Sequence, residues 1–189
     1  MREYFENRSF IGEELSVIPL VIGDYEQCTF LRCDLTAAHL DAFTFIECQF
    51  TDCNLSNVKV ESVSFRDVKF SGCKLTGVDF STSNPSMISL GFEDCILDYV
   101  SFAKLSLKKM KFNNCSLIHA FFDDADLSSS EFIRCDLENA AFGKTNLEKV
   151  DLSTSFNYII DPENNRIKKA KFSLSGIQGL LMKYDIVIS

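Results

Sequence analysis

The sequence predicts an all-β solenoid, one small unit repeated along the chain, on three observations. A bulky apolar residue recurs every fifth position: Phe5, Phe10, Leu15, Leu20, Tyr25, Phe30, Leu35, Leu40, Phe45, Phe50, Leu55, Val60, Phe65, Phe70, Leu75 and Phe80. After a two-residue slip the series resumes at Phe92 and runs through Leu97, Phe102, Leu107, Phe112, Leu117, Phe122, Leu127, Phe132, Leu137, Phe142 and Leu147 to Leu152. Helices repeat at 3.6 residues and strands at 2, so neither explains a period of five. Second, a smaller residue sits two positions before most large ones, as in Cys28, Cys33, Ala38, Cys48, Cys53, Val58 and Val63, and later Cys95, Val100, Leu105, Met110, Cys115 and Ala120. Ser130 and Thr145 are the polar exceptions. Third, every twentieth residue matches: Phe10, Phe30, Phe50, Phe70, Phe92, Phe112 and Phe132 form an all-Phe column, and Leu15 through Leu137 an all-Leu column. Units of this kind bury their apolar side chains only by stacking on their neighbours.

Each unit therefore turns two side chains inward and three outward, the outward ones being mostly Asp, Glu, Asn, Ser, Thr and Lys. Four units complete one coil. The triplets Cys33-Asp34-Leu35, Cys53-Asn54-Leu55, Ala125-Asp126-Leu127 and Cys135-Asp136-Leu137 resemble the pentapeptide-repeat family, whose unit is A(D/N)LXX, over roughly residues 8–154. The resemblance implies a right-handed quadrilateral β-helix. Coils at about 4.8 Å spacing would make seven-odd turns a rod roughly 35 Å long, with a Phe/Leu ladder filling its core.

Residues 81–91 interrupt the series. Phe80 to Phe92 spans two residues more than the register requires, around the turn-forming pair Asn84-Pro85. Met87 is placed to supply the missing inward residue. The insertion reads equally as a corner bulge and as a partner-contacting loop. After Leu152 the large-residue series stops, dividing the chain into a repeat region, 1–154, and a C-terminal cap and dimerisation segment, 155–189. In that segment Tyr158 to Pro162 reads as a strand end and turn, and Arg166 to Phe172 alternates like a strand. Ser173 or Ser175 can cap a short helix, with Leu174, Ile177 and Leu181 at helical spacing and Leu180 and Tyr184 beside them. Asp185 to Ile188 closes as a strand. Leu174, Ile177, Leu180, Leu181, Ile186 and Ile188 are too apolar to stay exposed and predict a homodimer interface.

Composition bounds function. The chain has 189 residues, 46% of them hydrophobic, and a net charge of −8. Residues 1–94 hold 15 acids and 7 bases, and residues 95–189 hold 12 of each, so the excess negative charge lies in the first half. The cluster Lys104, Lys108, Lys109 and Lys111 reads as a solvated patch rather than the basic stripe of a nucleic-acid binder. All eight cysteines occupy the small inward position, which suits buried packing and neither a disulfide framework nor a zinc knuckle. The free thiols and the charged start, Met1 to Glu6, predict a cytoplasmic protein without a secretory leader. His39 and His119 lie outward and unpaired, no glycine-rich phosphate loop is present, and a packed rod has no cleft. The expectation is a protein that is no enzyme and carries no cofactor or metal.

The start, Glu6 to Glu13, and the end, Asp161 to Arg166 with Leu180-Leu181 and Ile186 to Ile188, resemble one subgroup: the Qnr-type quinolone-resistance proteins and the related microcin immunity protein. The resemblance implies a DNA-mimicking homodimer, joined through its C-terminal segment, that binds DNA gyrase and topoisomerase IV and protects them from poisons. This chain departs from the pattern in having one small insertion where two larger loops are typical, and an acidic bias confined to half the rod. Outward acids Asp24, Asp34, Asp41, Asp52, Asp67 and Asp79, with the Asn84-Pro85 loop, are the expected partner contacts. The alternative is an interaction module for an unrelated partner.

Overall fold

The computed structural model describes residues 2–187. It is a single parallel sheet wound into a four-sided coil, with ten short strands and many single-residue bridges. Side A begins with β1 (Glu3–Glu6), followed one coil later by β3 (Gly23–Glu26) and then β5 (Thr44–Ile46). Side B begins with β2 (Ser9–Ile11), β4 (Thr29–Leu31) and β6 (Gln49–Thr51). One longer strand, β7 (Ser64–Ser71), runs through both sides, as does β8 (Ile88–Glu93) after the insertion; β9 (Lys111–Asn113) and β10 (Glu131–Ile133) continue side B. Sides C and D, which carry the Leu15 and Leu20 columns, are held by isolated parallel bridges such as Asp34↔Asn54 and Ser101↔Phe121.

The pairing confirms the twenty-residue period in register: Phe10↔Phe30, Phe30↔Phe50, Phe50↔Phe70, Phe70↔Phe92, Phe92↔Phe112 and Phe132↔Phe112. Rings in this column stack with centroids 4.4–5.6 Å apart. A second stack on side D, Phe80, Phe102, Phe122 and Phe142, has spacings of 5.2–5.5 Å. The two stacks meet across the core at steep angles, 72° for Phe102–Phe112 and 85° for Phe112–Phe122, so ring edges face ring planes as the aromatic quadrupole favours.

The small inward column closes the space between the stacks. All eight cysteines are free and buried. The Cys33, Cys53, Cys73 and Cys135 sulfhydryls donate at 3.3–3.4 Å to the Phe10, Phe30, Phe50 and Phe112 carbonyls of the preceding coil. Only a protonated thiol can do this, and burial pushes the Cys48 thiol up to about 12. The polar exceptions obey the same geometry. The Ser130 hydroxyl donates to the Leu107 carbonyl at 2.8 Å and accepts from the Met110 N–H at 3.1 Å. The Thr145 hydroxyl donates to the Phe122 carbonyl at 2.8 Å. A buried hydroxyl is tolerated because the preceding coil offers it a partner.

Most corners are made by a left-handed residue two positions after the large one, as at Asn7, Gln27, Arg32, Ala37, Ala42, Glu47 and Asp52, with φ between 52° and 63°. Each such N–H then points along the rod axis to the next coil: Gln27 to the Ile46 carbonyl at 2.9 Å, Glu47 to Arg66 at 2.8 Å, Asp52 to Ser71 at 2.9 Å. At Gly72 and Gly77 a Cβ would meet the tips of the Asp52 and Asn57 side chains below, which would have to swing aside for any other residue.

The sequence expectation for Met87 is corrected. Its side chain is 41% exposed, and Ile88 packs on the core instead, opposite Phe65. At Ile88 the chain is already three residues beyond the twenty-residue register, and the shift between Phe65 and Val68, with its extra residue on β7, gives one back, so the inserted residues lie ahead of β8. The loop is tied down: the Asn84 N–H donates to the Val63 carbonyl at 2.9 Å and its Nδ2 to Ser64 Oγ at 3.2 Å.

Beyond Leu152 the ladder continues, with bridges Asp136↔Phe156, Asn146↔Arg166 and Asp151↔Lys171. Arg166 to Phe172 is thus not one alternating strand but two bridged sides of a further coil, with the corner at Lys169. Ile167 and Phe172 stand one period after Leu147 and Leu152, and both pack on the core. The break came from side C, where Asn157 makes the corner and Tyr158 turns in one position late, 3% exposed. Tyr158 to Pro162 forms no strand, only the approach to a turn. The expected short helix is two 3-10 segments, Ile177–Leu180 and Met182–Tyr184. Asp185 to Val187 is not a strand, because Asp185 turns left-handed at φ 50°; Ile188 lies outside the described residues.

Phe112→Ala should cost about 3–5 kcal/mol, since the fixed coils above and below cannot collapse into the cavity. Denaturant unfolding with an unchanged m-value checks it. Ala42→Gly should stabilise by about 0.5 kcal/mol, the left-handed strain relieved being partly offset by the greater freedom of glycine in the unfolded chain.

Candidate interaction surfaces

With the interior filled, every available side chain lies on the four sides or at the two ends. Among the described residues no cluster of three or more His, Cys, Asp or Glu could hold a metal ion, and no helix is long and apolar enough to cross a membrane. The depressions are shallow. One, about 320 Å³, lies on side D and is lined by His39, Asp41, Lys59, Glu61 and Asp79.

The six acids singled out from sequence ring the rod instead of sharing one side. Asp24 is on side A, paired with Arg2 Nε at 2.7 Å. Asp34 is on side C, where the Thr36 hydroxyl (2.6 Å) and amide (2.9 Å) hold its carboxyl below the usual carboxylate range. Asp41 is on side D, accepting from the Glu61 amide at 3.1 Å and facing His39 Nδ1 at 3.1 Å. Asp79, on the same side, accepts from the Ser81 amide at 3.0 Å. Asp52 and Asp67 stand at left-handed corners on either edge of side B, Asp67 accepting from Ser89 Oγ at 2.8 Å. Two of these carboxylates, Asp34 and Asp79, thus double as local turn acceptors. Of the loop pair, Pro85 is exposed and Asn84 is half-buried and bonded as described.

Outward positions on the C-terminal half, mostly polar in the sequence, also hold apolar residues that were not singled out there. Ile96, Tyr99, Phe121, Phe156 and Ile159 are 44–55% exposed along sides C and D. Tyr99 stacks on His119 with centroids 4.8 Å apart. Their signal was in the sequence, as apolar residues out of phase with the inward columns.

The tail is locked onto the last coil. Gly176 and Gly179 cross directly over buried Tyr158; a Cβ on Gly179 would collide with the Tyr158 carbonyl oxygen, and one on Gly176 with its hydroxyl. The Ile160 N–H donates to the Gly179 carbonyl at 3.1 Å. Lys183 Nζ reaches Asp161 Oδ1 and Glu163 Oε2, both at 2.6 Å, and the Tyr184 hydroxyl donates to Glu163 at 2.9 Å. Leu180 packs inward and Leu181 is half-buried, while Leu174, Ile177, Met182 and Ile186 face solvent.

A family model described as pentapeptide repeat region matches residues 24–102, and one described as the SV2A/B/C luminal domain matches residues 79–142. No curated protein sequence matches. Among solved structures, a trypsin-treated variant of QnrB1, a plasmid-mediated fluoroquinolone resistance protein, aligns at 20% identity over 100% of this chain and 99% of its own, with TM-score 0.62. A second trypsin-treated QnrB1 variant aligns at 21% identity over 100% of both chains, with TM-score 0.52. HetL from the cyanobacterium Nostoc, a pentapeptide-repeat protein involved in regulating heterocyst differentiation, aligns at 17% identity over 90% of this chain and 83% of its own, with TM-score 0.47.

Gly179→Ala should lift the tail. Trypsin cleavage after Lys183 should then accelerate about tenfold, the effect of about 1.4 kcal/mol on a local opening equilibrium. Acid should loosen the same end. The Ser153 hydroxyl and the Lys171 ammonium hold the Asp151 carboxyl down to about 2. Because that value lies below the unfolded one, the stabilisation is complete above about pH 4 and is lost as pH falls toward about 2. Asp151→Ala should flatten the stability profile across that window.

Proposed function

Starting from a chain that carries a pentapeptide-repeat region and the fold of the quinolone-resistance pentapeptide proteins, we propose that it is a DNA-mimicking binding protein, not an enzyme. In this reading it occupies the DNA-binding surface of a type II topoisomerase, DNA gyrase or topoisomerase IV, and protects it from quinolones or related poisons. The observation that carries the reading is a solid, unbranched rod whose net charge of −8 lies in its first half. A surface built for phosphates is basic, and an acidic rod competes for it. Asp34, Asp41, Asp52, Asp67 and Asp79 supply charge around the rod, and the exposed Pro85 corner adds a shape-specific contact. The protein acts in the cytoplasm, where its target resides.

We read the tail as a homodimer contact. Leu174 is 92% exposed and Val187 95%, on a segment already fixed to the last coil, so this apolar surface is presented in a set geometry and a two-fold pairing covers it. Ile177 and Ile186 extend the same patch, and Leu180 and Leu181 anchor it. Sedimentation should show a dimer at micromolar concentration that becomes a monomer on deletion of residues 173–189.

A second reading, an interaction module for an unrelated partner, draws support from the apolar outward group around Tyr99 and Phe121, which a phosphate mimic does not need. Binding of purified gyrase, competed by duplex DNA, separates the two. Under the first reading affinity falls steeply with salt, Asp52→Asn alone changes it less than twofold, and neutralising Asp34, Asp41, Asp52 and Asp79 together abolishes it, because exposed charges are individually weak. Absence of gyrase binding at low salt, with supercoiling unchanged, leaves the second reading.

A further inference from the structure

Side A is polarised along the rod. Its N-terminal coils present Glu6, Glu26, Glu47 and Asp67, while its C-terminal coils present Lys108, Lys109, Lys149, Arg166, Lys168 and Lys169. Two ion pairs neutralise part of the basic half, Lys108 with Asp126 at 3.3 Å and Arg166 with Glu148 at 2.9 Å. Among the described residues Lys109, Lys149, Lys168 and Lys169 have no carboxylate within 4.0 Å, and Glu6, Glu26, Glu47 and Asp67 have no cationic nitrogen. Two cations lie among the acids: Arg66, whose Nη2 is 3.6 Å from Met87 Sδ, and Arg2, which is paired with Asp24 at 2.7 Å.

We propose that side A is a contact surface for a second copy of this chain, packed antiparallel and side by side, independently of any pairing through the tail. A two-fold axis in the contact plane and perpendicular to the rods reverses the order of coils while keeping each column facing its own column. With the axis between the coil of Ser89 and the coil of Lys108, Glu47 faces Lys149 of the other copy and Glu26 faces Lys168. Arg66 then meets Ser128, and Glu148 meets Ile46, so no like charges oppose one another. Moving one copy by a single coil in one direction sets Arg66 against Lys108 and Glu26 against Glu148; in the other, Glu47 and Asp67 gain Lys169 and Lys149, but Lys108 and Lys109 each meet their own counterpart at the axis, a repulsion the first register avoids. A cyclic arrangement uses every favourable pair twice, and this repetition is what makes a set of weak exposed pairs cooperate. Because the pairs are exposed, the contact weakens as salt shortens the Debye length below about 10 Å.

Equal amounts of light and nitrogen-15-labelled full-length protein, mixed at low salt and treated with a zero-length carbodiimide, test the register directly. Within one chain Glu47 and Lys149 are five coils apart, roughly 24 Å, far beyond a direct amide link. The expected result is mixed light–heavy peptides joining Glu47 to Lys149 and Glu26 to Lys168, lost on raising the salt. Sedimentation of two variants, Glu26→Lys/Glu47→Lys and Lys149→Glu/Lys168→Glu, should show each failing to make the salt-sensitive association alone and regaining it when the two are mixed. Links joining other registers, no mixed peptides at low salt, or a mixture that behaves as its separate components would overturn the proposal. So would capture of a duplex DNA fragment by the lysine half in place of a second copy.

Discussion

The chain has to return to the same side every twenty residues, because each corner N–H finds its acceptor only on the coil above. The donation of Gln27 to Ile46, of Glu47 to Arg66 and of Lys149 to Lys168 repeats this rule from one end of the rod to the other. Leaving such a group unpaired in a packed coil costs far more than a single contact returns. A left-handed residue at most corners aims the N–H along the rod, and that geometry is what turns five residues, rather than two or 3.6, into the unit. In-register stacking then follows, and with it the Phe columns, the cysteine column and the satisfied Ser130 and Thr145.

A core built this way is complete, and that moves function to the outside. Charge, corner residues and the two ends are the variables left. The acids expected to contact a partner are distributed around the rod, and two serve their own turns, Asp34 for Thr36 and Asp79 for Ser81. A distributed negative field suits a partner that reads a rod from several sides, which is the physical content of resembling a duplex. It also explains why neutralising one acid should do little.

The tail shows how a solenoid ends. The last coil would otherwise expose Tyr158, Ile160 and Phe172, and the chain lays two glycines across them because only a residue without a Cβ can approach so closely. Lys183 then clamps the tail through Asp161 and Glu163, residues that look like ordinary surface charges in the sequence. The price of this cap is new apolar surface facing outward.

Sequence by itself determined the unit, the coil length, the inward columns and the burial of every cysteine, because a period that survives from Phe5 to Leu152 reports a physical repeat directly. It also carried the further coil at Ile167 and Phe172, although a local slip at Asn157 hid it. Tertiary structure decided what period cannot encode. Whether Met87 or Ile88 fills the gap depends on how a two-residue bulge is absorbed. Which acids share a side depends on position within the coil, and residues such as Asp24 and Asp34, near in sequence, end on opposite sides A and C. The short helix of the tail became two 3-10 turns because close passage of Gly176 and Gly179 over Tyr158 governs that segment, and such an approach is set by the surface beneath it rather than by local propensity.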